Sequence, residues 1–215
     1  MVRKKISNKN EGSFERLSPA KQEKVIHACI EEFAEAGYDK ASTGGAAKRA
    51  GIAKGSIFKY FGTKEHMFFH MGDHVMKHYL VYLEESTNVF PKDILQRFRL
   101  MQEKLYEFFG VNPSMFKYLM MVGAQQGSGR SHQMMRDKWE PLLEPLYLKF
   151  LQGADMKHLR IPVTDLIKMV KWLDFALDME IMGNVKGDIT PEELRKIYKP
   201  RLDLVFDVLE NGIYK

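Results

Sequence analysis

Residues 42–64 read STGGAAKRAGIAKGSIFKYFGTK, and their punctuation decides the fold. Ser42 or Thr43 offers a hydroxyl that can accept a free N–H in the first turn of a helix running from about Thr43 to Ala50. Gly51 ends that helix, since a residue without a Cβ enters the left-handed conformation that a helix C-terminus needs. Ile52, the lone apolar residue of the turn, is expected to plug the angle between two helices. A second helix from about Lys54 to Phe61 turns Ile57 and Phe61 inward, four residues apart. Lys54, Gly55, Ser56, Phe58, Lys59 and Tyr60 are left mostly outside. Cations, a hydroxyl, a phenol and a glycine permitting close backbone approach suit phosphate oxygens and groove edges; they contain no catalytic pair. Thr63 can cap the next helix, with Lys64 at its start beside N–H groups that attract anions. Two short helices around a glycine turn have the layout of a helix-turn-helix DNA reader. Gly44 and Gly45 run against this pattern at about 1 kcal/mol each relative to alanine. Such a cost is expected where backbone comes close to DNA.

Three pieces, EEFAEAGYDKAS at 31–42, AAKRAGIAKGSIFKYF at 46–61 and TKEHMF at 63–68, resemble the N-terminal domain of the TetR family of bacterial transcriptional regulators. The resemblance covers roughly the first third of the chain. It implies that Thr43 and Lys54 through Ser56 touch DNA, that Lys59 reads bases, and that Tyr60 and Lys64 hold phosphates. Phe58 stands where many members carry tyrosine, and Ala46 replaces a larger aliphatic residue. The family also implies an effector held in the helical remainder of the chain.

The charge distribution agrees with a DNA-binding end. Residues 1–65 hold 13 Lys or Arg and 8 Asp or Glu, a net +5; the chain totals of 33 and 28 leave 20 of each, a net of 0, for residues 66–215. The excess that drives counterion release therefore sits wholly on the reader. A single cysteine, Cys29, excludes an internal disulfide and fits a reducing, cytoplasmic setting. No apolar run approaches the length of about 20 residues needed to span a bilayer. Neither a nucleophile with a placed base, nor a metal triad, nor a cofactor fingerprint is present, so no enzyme and no cofactor are expected.

Residues 1–17 read as a flexible basic arm, with Arg3, Lys4 and Lys5 available to phosphate or a minor groove. Residues 18–65 form the reader, opening on Ser18 as cap and Pro19 at the first helical position, with Ile26, Cys29, Ile30 and Phe33 on one buried face and Gly37 as terminator. Residues 66–215 form a larger helical effector-binding and dimerisation domain, for an all-α chain of about nine helices. A long helix from Lys64 to about Ser86 joins the two. It carries His66, His70, His74 and His78, each four residues from the last. On a 3.6-residue helix this row drifts by about 40° per step, so it reads as a half-exposed edge beside the core; a shared divalent metal is the alternative.

A helix starting at Pro91 and running to about Phe109, a shorter one after Asn112 and Pro113, a connector QGSGRS at 126–131, and a helix interrupted by Pro141 and Pro145 make up the middle. Methionine and aromatic residues crowd there, as fillers of irregular space and walls for flat apolar ligands. Tyr106, Met121, Gln125, Trp139 and Trp172 are the candidate walls. Two closing helices, the second opened by a capping box at Thr190 and Glu193, place Leu166, Val170, Leu173, Leu177, Leu194, Ile197, Phe206 and Leu209 in an expected four-helix dimer interface. The reading as a whole is a homodimer on a palindromic double-stranded operator, released by a small apolar or aromatic effector. The alternative is a TetR-like protein acting in chromosome organisation or division through a protein partner.

Overall fold

The structure, a computed structural model, describes residues 11–87, 89–124, 135–184 and 189–213. Ten α-helices appear among them: α1 (Glu11–Phe14), α2 (Pro19–Lys40), α3 (Thr43–Ala50), α4 (Lys54–Phe61), α5 (Lys64–Ser86), α6 (Ile94–Val111), α7 (Pro113–Ala124), α8 (Glu140–Leu151), α9 (Val163–Asn184) and α10 (Pro191–Ile213). A π-helical turn, Met135–Trp139, leads into α8. The described residues contain no β-strand, only an isolated bridge between Asp93 and Asp155. None of their helices is long and apolar enough to cross a membrane.

The core has two parts. The first gathers Ile26, Cys29 and Phe33 of α2, Ala46, Ala47 and Ala50 of α3, Ile57 and Phe61 of α4, and Met67, Phe68 and Met71 of α5. Tyr118 and Val122 of α7 and Trp139 close it from the far side. The second is built on α6, α9 and α10 around Ile94, Phe98, Phe109, Leu166, Ile181 and Phe206. Arg97 is buried among these helices, and its guanidinium donates to the carbonyls of Pro91 (2.5 Å), Phe150 (2.6 Å) and Gln152 (2.9 Å). It thereby supplies partners to the orphan carbonyls at the end of α8.

Several local expectations shift. The arm is not free up to residue 17: α1 forms, and Phe14 is 5% exposed against the rings of Tyr60, Phe61 and His70. Ser18 makes no side-chain cap; Gln22 Nε2 instead donates to the carbonyls of Phe14, Glu15 and Leu17. Gly37, at φ 72°, breaks the helical conformation as expected, and a short helical stretch to Lys40 follows the kink. The first helix of the middle begins after Asp93, whose carboxylate accepts the Gln96 N–H at 2.9 Å, and not at Pro91. The capping box holds: Glu193 accepts the Thr190 N–H at 2.9 Å and Thr190 accepts the Glu193 N–H at 3.3 Å. The connector at 126–131 lies outside the described residues.

Most of the residues expected at a dimer interface lie elsewhere. Leu166, Val170, Leu177, Leu194, Phe206 and Leu209 are all 7% exposed or less, packed inside their own chain, and offer no surface to a second copy. Leu173 and Ile197 are half-buried beside them and keep part of their surface outside the core. The apolar residues that α9 and α10 do present outward are Trp172, Phe175, Met179, Leu204 and Val208.

Candidate nucleic-acid interface and effector cleft

The helix-turn-helix frame is held by identifiable groups. Ser42 Oγ accepts the Gly45 N–H at 2.9 Å, capping α3. Gly51 adopts φ 66°, in the left-handed region, and the Ile52 N–H returns to the Ala47 carbonyl at 3.0 Å. Ile57 is fully buried and Phe61 nearly so, which leaves Lys54, Gly55 and Lys59 exposed, Thr43 and Ser56 half-buried, and Phe58 62% exposed. The Tyr60 ring leans on Phe14 with centroids 5.7 Å apart, and Ser13 Oγ donates to the Lys59 carbonyl at 3.0 Å. One turn of α1 thus backs the outward helix. Thr63 Oγ1 accepts the His66 N–H at 3.0 Å and starts α5.

A buried carboxylate joins this frame to α2. Glu32, 8% exposed, accepts the Ser42 N–H at 3.0 Å and Arg49 Nε at 3.1 Å. Arg49 also forks onto Glu35, and these hydrogen bonds, Glu35 first, raise its pKa further above its ordinary value. The negative charge of Glu32 lies at the α3 N-terminus, where the helix dipole favours it. Gly45 is the residue that admits it: a Cβ there would stand 2.0 Å from Glu32 Oε1. This carboxylate gives the glycine a reason within the chain itself. Gly44 is less crowded, with the Lys54 methylenes 3.5 Å from its virtual Cβ.

Lys64 is placed differently from the expectation. Its Nζ donates to the carbonyls of Tyr38 (2.8 Å) and Asp39 (3.0 Å) and lies 4.7 Å from the Tyr38 ring centroid. It ties the start of α5 to the end of α2.

The histidine row splits. His66 is exposed, His70 packs on Phe14 and Phe61, and only His74 and His78 stand together, with ring centroids 4.2 Å apart.

The candidate effector walls do not converge. Tyr106 is buried, stacks on Tyr198 at 4.6 Å and donates to Asp178 at 2.9 Å. Trp139 is buried over Gly72, whose virtual Cβ would lie 2.0 Å from the indole, and donates through Nε1 to Asp73 at 2.9 Å. Met121 is half-buried against the first core, and Trp172 is 69% exposed on the outer face. Gln125 lies outside the described residues.

A cleft of about 160 Å³ opens instead between α5, α6, α8 and α9, with Phe98, Met101, Leu105 and Phe150 among its apolar walls. Gln102 and Lys171 are among its polar residues. Gln102, 7% exposed, has its Oε1 buried without a hydrogen-bond partner among the described residues, and Lys171 stands beside Tyr147, 5.8 Å from its ring centroid. The sequence carried a signal for Gln102: it falls four residues after Phe98 and eight after Ile94, on the buried line of α6. Cys29 offers no chemistry, being fully buried, with burial first and Glu32 second pushing its pKa up to about 12.

A capped, glycine-turned helix pair with exposed cations on an all-helical body defines the class of helix-turn-helix proteins. The sequence pattern of the family described as "Bacterial regulatory proteins, tetR family" matches residues 25–71. The likeness to the TetR family is carried by this N-terminal domain. It is 37% identical over 65 residues to the HTH-type transcriptional regulator YvdT of Bacillus subtilis, a match covering 30% of this chain and 34% of the relative. The fold also resembles a TetR family regulator from Chloroflexus aurantiacus (TM-score 0.70, 18% identity, 95% of this chain and 98% of the other). Comparable likeness is found to FadR of Bacillus subtilis in complex with stearoyl-CoA (0.66, 18%, 89% and 99%). A Saccharomonospora viridis regulator in complex with choline is similar too (0.68, 14%, 93% and 100%).

Proposed function

We propose that the protein is a DNA-binding transcriptional regulator that acts in the cytoplasm as a homodimer on a palindromic operator and is released by a small, mostly apolar effector. The observation that carries this reading is the outward set of α4, with Lys54, Gly55, Ser56, Phe58 and Lys59 projected from a helix whose inner residues are locked in the core. Thr43 and Tyr60 flank that set. Two such helices in a dimer would enter successive major grooves about 34 Å apart or a multiple of that.

The α6 cleft is the proposed effector site. Its volume is close to that of an engineered cavity of about 150 Å³ that takes up benzene, so a ring-sized apolar body fits without rearrangement. A donor on that body would satisfy the lone Gln102 oxygen, whose burial otherwise costs about 1–3 kcal/mol. Lys171 at the rim suits an anionic tail. An effector of this kind shifts the protein toward whichever state binds it better, and operator affinity falls by the same coupling factor. The cleft favours this reading over a ligand-independent role in chromosome organisation.

The test is fluorescence anisotropy of the protein with the intergenic DNA flanking its own gene, across a salt series, against scrambled DNA of equal length. Native DNA should bind specifically, and Lys59→Ala or Tyr60→Ala should weaken that binding while leaving the oligomeric state unchanged. Equal binding to both DNAs, or unchanged binding by both variants, overturns the assignment.

A further inference from the structure

A second cleft, about 250 Å³, lies where α2 of the reader crosses α5, closed at one end by the α6–α7 turn at Asn112 and Pro113. On its wall His74 of α5 faces Glu23 of α2, Nε2 to Oε2 3.9 Å, and His78 lies one turn further along α5. One ligand atom from each of Glu23, His74 and His78 can be chosen so that all three lie within 4.8 Å of one another. The His74 Nε2 is buried and has no hydrogen-bond partner among the described residues, an arrangement that costs free energy when nothing occupies the site.

We propose that Glu23, His74 and His78 bind a zinc-class divalent cation that clamps the reader's first helix to the linking helix. The donor chemistry is two imidazoles and a carboxylate, the set that borderline-soft divalent ions take with water as fourth ligand. Two histidines at i and i+4 share a helix face, which is what chelation from α5 requires. Donors around a tetrahedral ion held at about 2.0–2.2 Å lie about 3.3–3.6 Å apart. Glu23 and His78 are exposed and His74 is half-buried, so rotation of the two outer side chains can close the remaining ångström. His27, paired with Glu31 at 3.4 Å, lines the same cleft, but its own partner is on α2, so it adds no bridge.

The position gives the site a consequence. The same α2 that supplies Glu23 supplies Glu32, which holds both ends of α3. An ion joining α2 to α5 therefore fixes the crossing on which the reader's orientation depends, and metal and operator become linked ligands.

The test measures metal on the full-length protein without DNA, so it stands apart from the effector reading. Zinc titration by calorimetry should give one ion per chain, a raised melting temperature, and, with cobalt as probe, the visible bands of a tetrahedral nitrogen–oxygen site. His78→Gln, at an exposed position, and His74→Gln should each weaken zinc on the order of tenfold or more, and Glu23→Gln should weaken it as well, all three with wild-type melting in chelator. The proposal is overturned if no stoichiometric zinc or cobalt binds, or if binding survives in both histidine variants.

Discussion

At the scale of single residues, Gly45 and Glu32 show how a local rule can be right about cost and silent about the packing that goes with it. The sequence marks Gly45 as unfavourable inside a helix, but Glu32 lies on another helix and no periodicity connects the two. Only the packed structure shows the carboxylate occupying the space a Cβ would take. Gly45→Ala must push Glu32 off the Ser42 N–H and Arg49 Nε. It is expected to destabilise the protein by about 2–3 kcal/mol, well beyond any propensity change, because a buried charge loses its partners. Thermal unfolding checks this, and Gly44→Ala, where the nearest atoms are 3.5 Å away, serves as the mild control. Asp178 offers a second residue-scale prediction. Burial pushes its pKa up to about 6, against the opposing hydrogen bond from Tyr106. The folded state thus holds the proton more tightly than the unfolded chain, whose aspartate titrates near 4. The contribution is intact below about pH 4, declines as pH rises toward about 6, and stays lost above. Asp178→Asn, which can still accept from Tyr106, should stabilise by about 1–2 kcal/mol at pH 7 and converge with the parent near pH 4. Melting curves across that range decide it.

At the scale of elements, legibility follows punctuation. The bounds of α3, α4 and α5 are read from the sequence because each is set by a hydroxyl cap, a glycine or both, within a few residues of the helix itself. The start of α6 is missed because Pro91 is a familiar helix opener, whereas the carboxylate of Asp93 supplies the actual cap. The long-range attachment of α5 is not legible at all. Trp139 reaches it across 66 residues and sets the edge of its indole against Gly72, with its N–H on the adjacent Asp73. Lys138 pairs with the same carboxylate. Gly72→Ala places a methyl inside the indole, on a side chain 1% exposed with no room to swing. A loss of about 3 kcal/mol or more is expected, with a red shift of the buried Trp139 fluorescence measured in a Trp172→Phe background. Combining Gly72→Ala with Trp139→Leu should cost less than the sum of the two, since both act on one contact.

At the scale of the whole molecule, the reader is not a separable bead. Tyr118 and Val122 of α7 and Trp139 belong to the same core as α2, α3 and α4, and the Tyr118 hydroxyl donates to the Phe68 carbonyl at 2.6 Å. Changes around α7 and α8 therefore have a packed route to α4, whose bracing a count of charges at the basic end does not reveal. The closing helices carry the remaining ambiguity of pattern. A helix that sits in a core on one side and in an interface on the other is apolar on two faces, and periodicity finds the more regular stripe without saying which side it serves. Here the regular stripe is the core. That leaves Trp172, Phe175 and Met179 on α9 with Leu204 and Val208 on α10 as the outward apolar residues, a set large enough to suggest a covering partner. In an isologous dimer each of these meets a counterpart on the second copy, and charges placed there face each other across the axis. Trp172→Glu with Leu204→Glu should yield a folded monomer by sedimentation, with helical content retained and operator affinity much reduced because a single half-site is gripped. Leu166→Ala should do the reverse, lowering stability by about 2–4 kcal/mol while leaving the dimer intact where the chain is folded. A double-glutamate variant that remains dimeric would move the interface off α9 and α10.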